Sequence, residues 1–244
     1  MSTDLNHTVA IVTGASAGIG FGIAEALLEA GCRVAICARS ADKLRKAADR
    51  LEHFGSDVLA VPCDVSSEMH VQSLFAQVDS AFGPVGILVN NAGAFDGGPV
   101  EEVSIDAWNN VIGSCLTGSF LCTREAFRRM KPQGKGRVLN IGSISAQRSR
   151  MNSAPYTAAK FGVQGLTHAT ALEGRSHGIA VSCLHPGNVL VERRENSGLV
   201  SDQEPMMAVD AIVQASMAML TMPQGVNFLD AVVLPNEQLY LGRG

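Results

Sequence analysis

Charge is scarce in this sequence. Asp, Glu, Lys and Arg make up 17% of the 244 residues against 46% hydrophobic residues. Disordered chains show the opposite balance, so this one has the apolar surface to build a core. No apolar stretch reaches the roughly 18 uninterrupted residues of a membrane span, and no membrane partner is expected. Residues Met1 to His7 are polar and include Asp4. They lack the basic-then-apolar order of a secretory signal, which makes a cytoplasmic location the expectation. The six cysteines (Cys32, Cys37, Cys63, Cys115, Cys122, Cys183) contain no C-x-x-C pair. They lie mostly within apolar runs, as buried thiols of a reducing compartment do, so neither a disulfide framework nor a metal site is expected. Basic clusters are missing as well. The net charge is −4, and Arg193–Arg194 is flanked by Glu192 and Glu195, which offers nucleic acid no electrostatic footprint. Repeats, low-complexity tracts and linkers are absent. A chain of this length stays within the about 250–300 residues to which one core can grow, so residues 1–244 are expected to form a single domain.

What the chain does have is alternation. Short apolar runs rich in β-branched residues occur at Val9–Thr13, Val34–Ala38, Val58–Pro62, Ile87–Asn90, Val138–Ile141, Ile179–Leu184 and Phe228–Leu234, the pattern of strands buried on both faces. Helical spacing fills the gaps at Ile19–Ala30, Ala41–His53, Glu68–Phe82, Ile105–Met130, Tyr156–His177 and Met206–Leu220. Alternating elements joined by right-handed crossovers predict an α/β protein: a doubly wound parallel sheet of about seven strands with helices on both faces.

The first strand runs straight into Thr13-Gly14-Ala15-Ser16-Ala17-Gly18-Ile19-Gly20, and then a helix begins. Glycines in that position let the backbone turn and approach a pyrophosphate, while free N–H groups at the helix start face the anion. A glycine pattern alone is often only chain geometry, but placed directly after the first strand it predicts dinucleotide binding. The G-x-x-x-G-x-G spacing makes the sequence resemble the short-chain dehydrogenase/reductase family. Other family marks fall in register: Asp64-Val65 after the third strand, Asn90-Asn91-Ala92-Gly93 after the fourth, and Pro186-Gly187 with Val189 after the sixth. The resemblance implies that Asp64 and Val65 lie near an adenine, that Asn91, Ala92 and Gly93 lie beside the cofactor, and that Pro186, Gly187 and Val189 lie around the nicotinamide.

The end of the second strand separates the two nicotinamide dinucleotides, because NAD enzymes place an acidic residue there to hold the ribose 2′-hydroxyl. Here Ala38 occupies that position, followed by Arg39 and Ser40. A guanidinium grips a 2′-phosphate that a carboxylate would repel, so NADP(H) is expected over NAD(H). Against this stand the simple alternative of a solvated Arg39 at a strand end, and Ala17, where many NADP-using relatives carry a basic residue.

Tyr156 and Lys160 stand four residues apart on a helix, with Ser143 thirteen residues before the tyrosine at a strand end. Tyr-x-x-x-Lys is common on helix surfaces; it is the family match, together with Ser143, that makes the three the expected catalytic set. A tyrosine that serves as acid and base near neutral pH, with its ordinary pKa of about 10, requires roughly 4 kcal/mol of preference for the phenolate. A fixed ammonium at Lys160 is suited to supply it. The resemblance further implies that Lys160 bonds the nicotinamide ribose and that Ser143 donates to the substrate oxygen.

Two positions depart from the family. Cys115 stands where relatives carry an Asn that holds a water in the proton path, with Ser114 or Asn110 as the alternative route. Val191 replaces a Thr that contacts the carboxamide. The expected activity is hydride transfer between nicotinamide and a small carbonyl or secondary alcohol. The competing readings are a catalytically weakened NADP(H)-binding sensor, and a relative that uses the Ser/Tyr face without nicotinamide. Arg148, Arg150 and Met151 are candidate pocket residues, the segment from Asn188 to about Pro205 is a candidate lid, and the long helices resemble those with which relatives form homodimers or homotetramers.

Overall fold

The computed structural model describes residues 4–192 and 204–240. Seven strands form one sheet: β1 (Val9–Thr13), β2 (Arg33–Ala38), β3 (Val58–Pro62), β4 (Ile87–Asn90), β5 (Gly136–Ile141), β6 (Ile179–Pro186) and β7 (Asp230–Val233). Every pairing is parallel, in the order β3-β2-β1-β4-β5-β6-β7. The chain winds outward from β1 to β3, then returns to lay β4 on the other side of β1. At that reversal the connections leave in opposite directions and open a crevice at the carboxyl ends of β1 and β4.

Side chains alternate across the pleat and define two cores. Ala10, Val12, Val34 and Ile36 face α1 (Gly18–Glu29), α2 (Ala41–Arg50) and α7 (Val209–Leu220). Ile11, Ala35, Leu88 and Val181 face α3 (Glu68–Phe82) and α5 (Gly118–Gln133). Alongside α5 lies α6 (Ala154–Gly174), while α4 (Ile105–Ile112) runs into α5. Serine hydroxyls cap α2, α3 and α4: Ser40 accepts from Lys43 N–H, Ser67 from His70 and Ser104 from Ala107.

The helix expected over Ile105–Met130 is interrupted by a π-helical turn at Gly113–Thr117. Apolar periodicity continues through such a turn, so the sequence conceals it. Gly118, just after the turn, packs tightly on the strand layer: a Cβ there would lie 2.6 Å from Val65 Cγ2. Ser114 and Ser119 also donate to the carbonyls of Asn110 and Cys115, both at 2.7 Å, which loosens the regular ladder. The last helix starts at Val209 rather than Met206, because Met207 pairs its backbone with that of Val189. Helix α6 starts two residues before Tyr156, with Pro155 in its first turn, where the missing N–H costs nothing.

A buried polar ladder ties the layers together. Asn90 Nδ2 donates to Asn140 Oδ1 (2.8 Å) and Thr123 Oγ1 (3.0 Å), and Asn140 Nδ2 donates to Thr167 Oγ1 (2.8 Å). Asn90, Thr123, Asn140 and Thr167 are all buried, so β4, β5, α5 and α6 are fixed in one register at the base of the crevice. Removing one member strands its partners away from water. Asn90→Ala is expected to lower unfolding free energy by about 1–3 kcal/mol, read from urea denaturation, with no change in the urea dependence of the unfolding free energy.

Candidate active site

The turn between β1 and α1 stands on glycines for steric reasons. Gly14 adopts φ +64°, and a Cβ there would lie 2.7 Å from Ala92 Cα. At Gly20 a Cβ would lie 2.3 Å from Asn91 Nδ2. That close approach is what joins the glycine loop to the segment after β4. Asn91 Nδ2 donates to the carbonyls of Thr13 and Gly14, both at 3.0 Å. The Thr13 hydroxyl in turn accepts from the backbone N–H of Asn91 and of Ala92, each at 3.0 Å. Unlike α2, α3 and α4, α1 has no side-chain cap: Ala17 occupies its N-cap. Its first-turn N–H groups remain available to an anion. Pro186 ends β6, Gly187 and Val189 follow it, and Gly187 N–H donates to the Val233 carbonyl at 2.8 Å.

At the far end of the loop, Arg39 leaves β2 exposed to solvent and donates to Asn110 Oδ1 on α4 at 3.1 Å. Ser40 spends its side-chain oxygen on the cap of α2. Asp64 follows β3, and its Oδ1 accepts from Ser66 N–H (3.0 Å) and Ser66 Oγ (2.7 Å). Partial burial raises the Asp64 carboxyl, but the two Ser66 bonds and the charges of Arg39 and His70 outweigh that and hold it below the usual carboxylate range.

Ser143 lies just past the end of β5 in extended conformation (φ −172°, ψ 157°), and its Oγ accepts from Ser145 N–H at 3.1 Å. With that oxygen lone pair engaged, the hydroxyl hydrogen is the group left to donate outward. Tyr156 sits in the first turn of α6, with the exposed Phe95 ring edge-on to it at 5.1 Å between centroids. Lys160 is 5% exposed. Its Nζ donates to the Ile141 carbonyl at 2.7 Å and lies 5.5 Å from the Tyr156 ring centroid. Burial pulls the ammonium down, but Tyr156 first, then Cys115 and Cys183, outweigh it and hold Lys160 above its ordinary value. The lysine therefore stays charged and joins the tyrosine's helix to the strand end that carries Ser143.

The family model described as short chain dehydrogenase matches residues 8–199. The chain belongs to the short-chain dehydrogenase family. This short-chain dehydrogenase is 40% identical to an acetoacetyl-CoA reductase of Rhizobium meliloti over 184 residues, 75% of either chain. It is 34% identical to a gluconate 5-dehydrogenase of Gluconobacter oxydans over 200 residues, 82% of this chain and 77% of the relative. Among solved structures, an actinorhodin polyketide ketoreductase variant with NADPH superposes with a TM-score of 0.88 at 30% identity, over 98% of this chain and 100% of that one. Members of the family are oxidoreductases that use a nicotinamide cofactor.

The two departures have distinct settings in this dehydrogenase. Cys115 is buried in the π turn, its thiol directed at the Ala94 carbonyl (3.4 Å) and against Gly93, while the neighbouring Ser114 hydroxyl is taken by the Asn110 carbonyl. Val191 packs on the glycine loop, 3.3 Å from where Gly18 would carry a Cβ. Of the candidate pocket residues, Met151 is 91% exposed. Arg150 donates to Asn188 Oδ1 at 3.0 Å, with Glu204 on Asn188 Nδ2 at 2.8 Å. Two cavities adjoin this clamp. One of 250 Å³ lies by Gly98, Val100 and Asn152, and one of 360 Å³ lies by Arg148, Phe161, Gln238 and Tyr240. Residues 193–203 of the expected lid, Arg193 and Arg194 included, lie outside the described residues. Sequence reasoning missed Phe95 and His185. A ring on an irregular loop carries no periodic signal, and a histidine inside an apolar strand reads as core.

Because folding depresses the Asp64 carboxyl, the stability it contributes is present above the ordinary carboxylate range and is lost as pH falls through its folded value. Asp64→Asn is therefore expected to flatten the acid limb of stability against pH, measured by urea unfolding from pH 7 downward.

Proposed function

We propose that the protein is an NADP(H)-dependent oxidoreductase that interconverts a small carbonyl compound and the corresponding secondary alcohol. The observation that carries this reading is the buried Lys160 ammonium, bonded to the end of β5 and set beside the Tyr156 ring, at the same carboxyl edge of the sheet as a glycine loop sewn to Asn91. The residues fit a dinucleotide. The uncapped α1 with Gly14, Ser16, Gly18, Ile19 and Gly20 holds the pyrophosphate, Asp64 and Val65 flank the adenine, and Asn91, Ala92 and Gly93 support the central ribose side. Pro186, Gly187 and Val189 border the nicotinamide. When bound, the nicotinamide supplies or accepts the hydride.

The chain's own residues handle the proton and the developing charge. In reduction Tyr156 Oη gives its proton to the substrate oxygen, while the Ser143 hydroxyl donates a hydrogen bond to that same oxygen. Lys160 stabilises the phenolate that Tyr156 leaves behind and holds the ribose. In oxidation each group runs in reverse. Intact Ser143, Tyr156 and Lys160 favour this over a regulatory protein that only senses the dinucleotide.

Arg39 and Ser40 support the choice of NADP(H). No carboxylate stands at Ala38 to repel a 2′-phosphate, and the exposed Arg39 guanidinium follows directly at the end of β2. The similar actinorhodin polyketide ketoreductase variant was solved with NADPH. A homodimer or homotetramer in the cytoplasm is part of the same reading, supported by exposed apolar residues such as Phe120 on α5 and Leu172 on α6.

Tyr156→Phe is expected to abolish turnover in a spectrophotometric screen of aldehydes, ketones and quinones, with the NADPH dissociation constant within about threefold of the parent. An active Phe variant removes the assigned role. Arg39→Ala is expected to cost roughly tenfold to a hundredfold in kcat/KM for NADPH, the worth of charge-assisted bonds of about 1.5–3 kcal/mol, and little for NADH. A parent enzyme that prefers NADH overturns the cofactor assignment.

A further inference from the structure

The backbone of Ser143 ends on a histidine. His185, the residue before Pro186 on β6, is fully buried. It fits under Ser143 only because Gly142 has no side chain: a Cβ there would lie 2.6 Å from His185 Nδ1. The Ser143 backbone N–H points at that Nδ1 at 3.3 Å, and the Ser143 carbonyl oxygen lies 3.0 Å from the same atom. One ring nitrogen serves one of these groups at a time: bare, it accepts from N–H, and protonated, it donates to C=O. The other ring nitrogen, Nε2, faces Asp230 Oδ1 on β7 at 3.5 Å, and neither atom has another partner among the described residues. Asp230 Oδ2 lies 2.9 Å from Nε2 of the half-exposed His168 on α6.

Two constraints select the same form of His185. The peptide plane fixes the Ser143 N–H hydrogen, and a second hydrogen on Nδ1 would meet it head-on. A carboxylate has no hydrogen to give, so an unprotonated Nε2 would set its lone pair against Asp230 in a dry site. We propose that Asp230, itself held by His168, keeps the hydrogen of His185 on Nε2, so that Nδ1 accepts the Ser143 N–H and holds the serine hydroxyl in place. His185 and Asp230 are then positioning residues, and the functional half of this assignment rests on the role given to Ser143 above. The same neighbourhood brings Cys183, His185 and Asp230 ligand atoms within 4.8 Å of one another. The Lys160 ammonium faces the Cys183 thiol, a like charge to any divalent cation placed there.

The tautomer is testable without any turnover. In ¹⁵N-histidine-labelled full-length protein at neutral pH, His185 is expected to show a neutral ring protonated on Nε2, and Asp230→Ala to bring in the Nδ1-protonated form. A hydrogen on Nδ1 in the parent, or an unchanged spectrum in Asp230→Ala, overturns the assignment. The positioning role is read from kcat. His185→Leu is expected to lose tenfold or more, and His185→Asn, whose side-chain oxygen reaches the Nδ1 position, to stay within about threefold of the parent. Neither is expected to change kcat further in a Ser143→Ala background. Equal losses in both backgrounds, or no recovery with Asn, mean that His185 does not act through Ser143. A parent enzyme without hydride transfer would instead overturn the proposed function, and the nitrogen spectra would still decide the tautomer.

Discussion

An ammonium held almost out of reach of water is costly unless oxygen takes over from the solvent, since even a relaxed protein interior charges several kcal/mol for desolvating an ion. At Lys160 that oxygen is the Ile141 carbonyl, 2.7 Å away at the last residue of β5. The bond fixes the first two turns of α6 against the strand end, and with them the distance between the Tyr156 ring and the serine two residues beyond Ile141. Any slip of α6 along the sheet would leave the ammonium without its acceptor. The position of the proposed proton donor is therefore tied to the most expensive buried group in the crevice.

The rest of the scaffold defends that register from below. Asn140, one residue before Ile141, sends its amide into Thr167 on α6, and receives Asn90 from β4. Polar ladders of this kind have one satisfied arrangement, whereas the surrounding valines and leucines tolerate many. Thr13 and Asn91 do the same across the reversal of strand order, tying the glycine loop to the segment after β4 just beyond the last paired residues of β1 and β4. Specific hydrogen bonds thus fix position where two connections diverge, and hydrophobic burial supplies the bulk of the stability elsewhere.

Periodicity made the architecture legible. All seven apolar runs became strands, because residues buried on both faces leave an uninterrupted signature, and Val9–Thr13, Val58–Pro62 and Ile87–Asn90 kept their bounds. The glycine loop was legible because steric demand at Gly14 and Gly20 leaves no other residue type. Tyr156, Lys160 and Ser143 were legible through their resemblance to a family pattern, since spacing alone leaves a helix-surface pair as an alternative. What stayed hidden depends on contacts distant in sequence. The π turn runs into Gly118, which packs on Val65, 53 positions away. Nothing near Met206 announces that its neighbour Met207 pairs with Val189 instead of joining a helix.

The same distinction explains how Cys115 can stand where relatives carry asparagine. A thiol is a weak hydrogen-bonding group, but the π turn delivers it to the Ala94 carbonyl and the flank of Gly93, where close packing is the first requirement. Cys115 shares a packed cluster with Ala159 and Tyr156, while the acceptor of Lys160 is supplied by β5 and the ring against Tyr156 by the loop after Ala94. The residues that hold the reacting groups in place lie on the strand ends and α6, and the π turn packs Cys115 against that helix at Ala159.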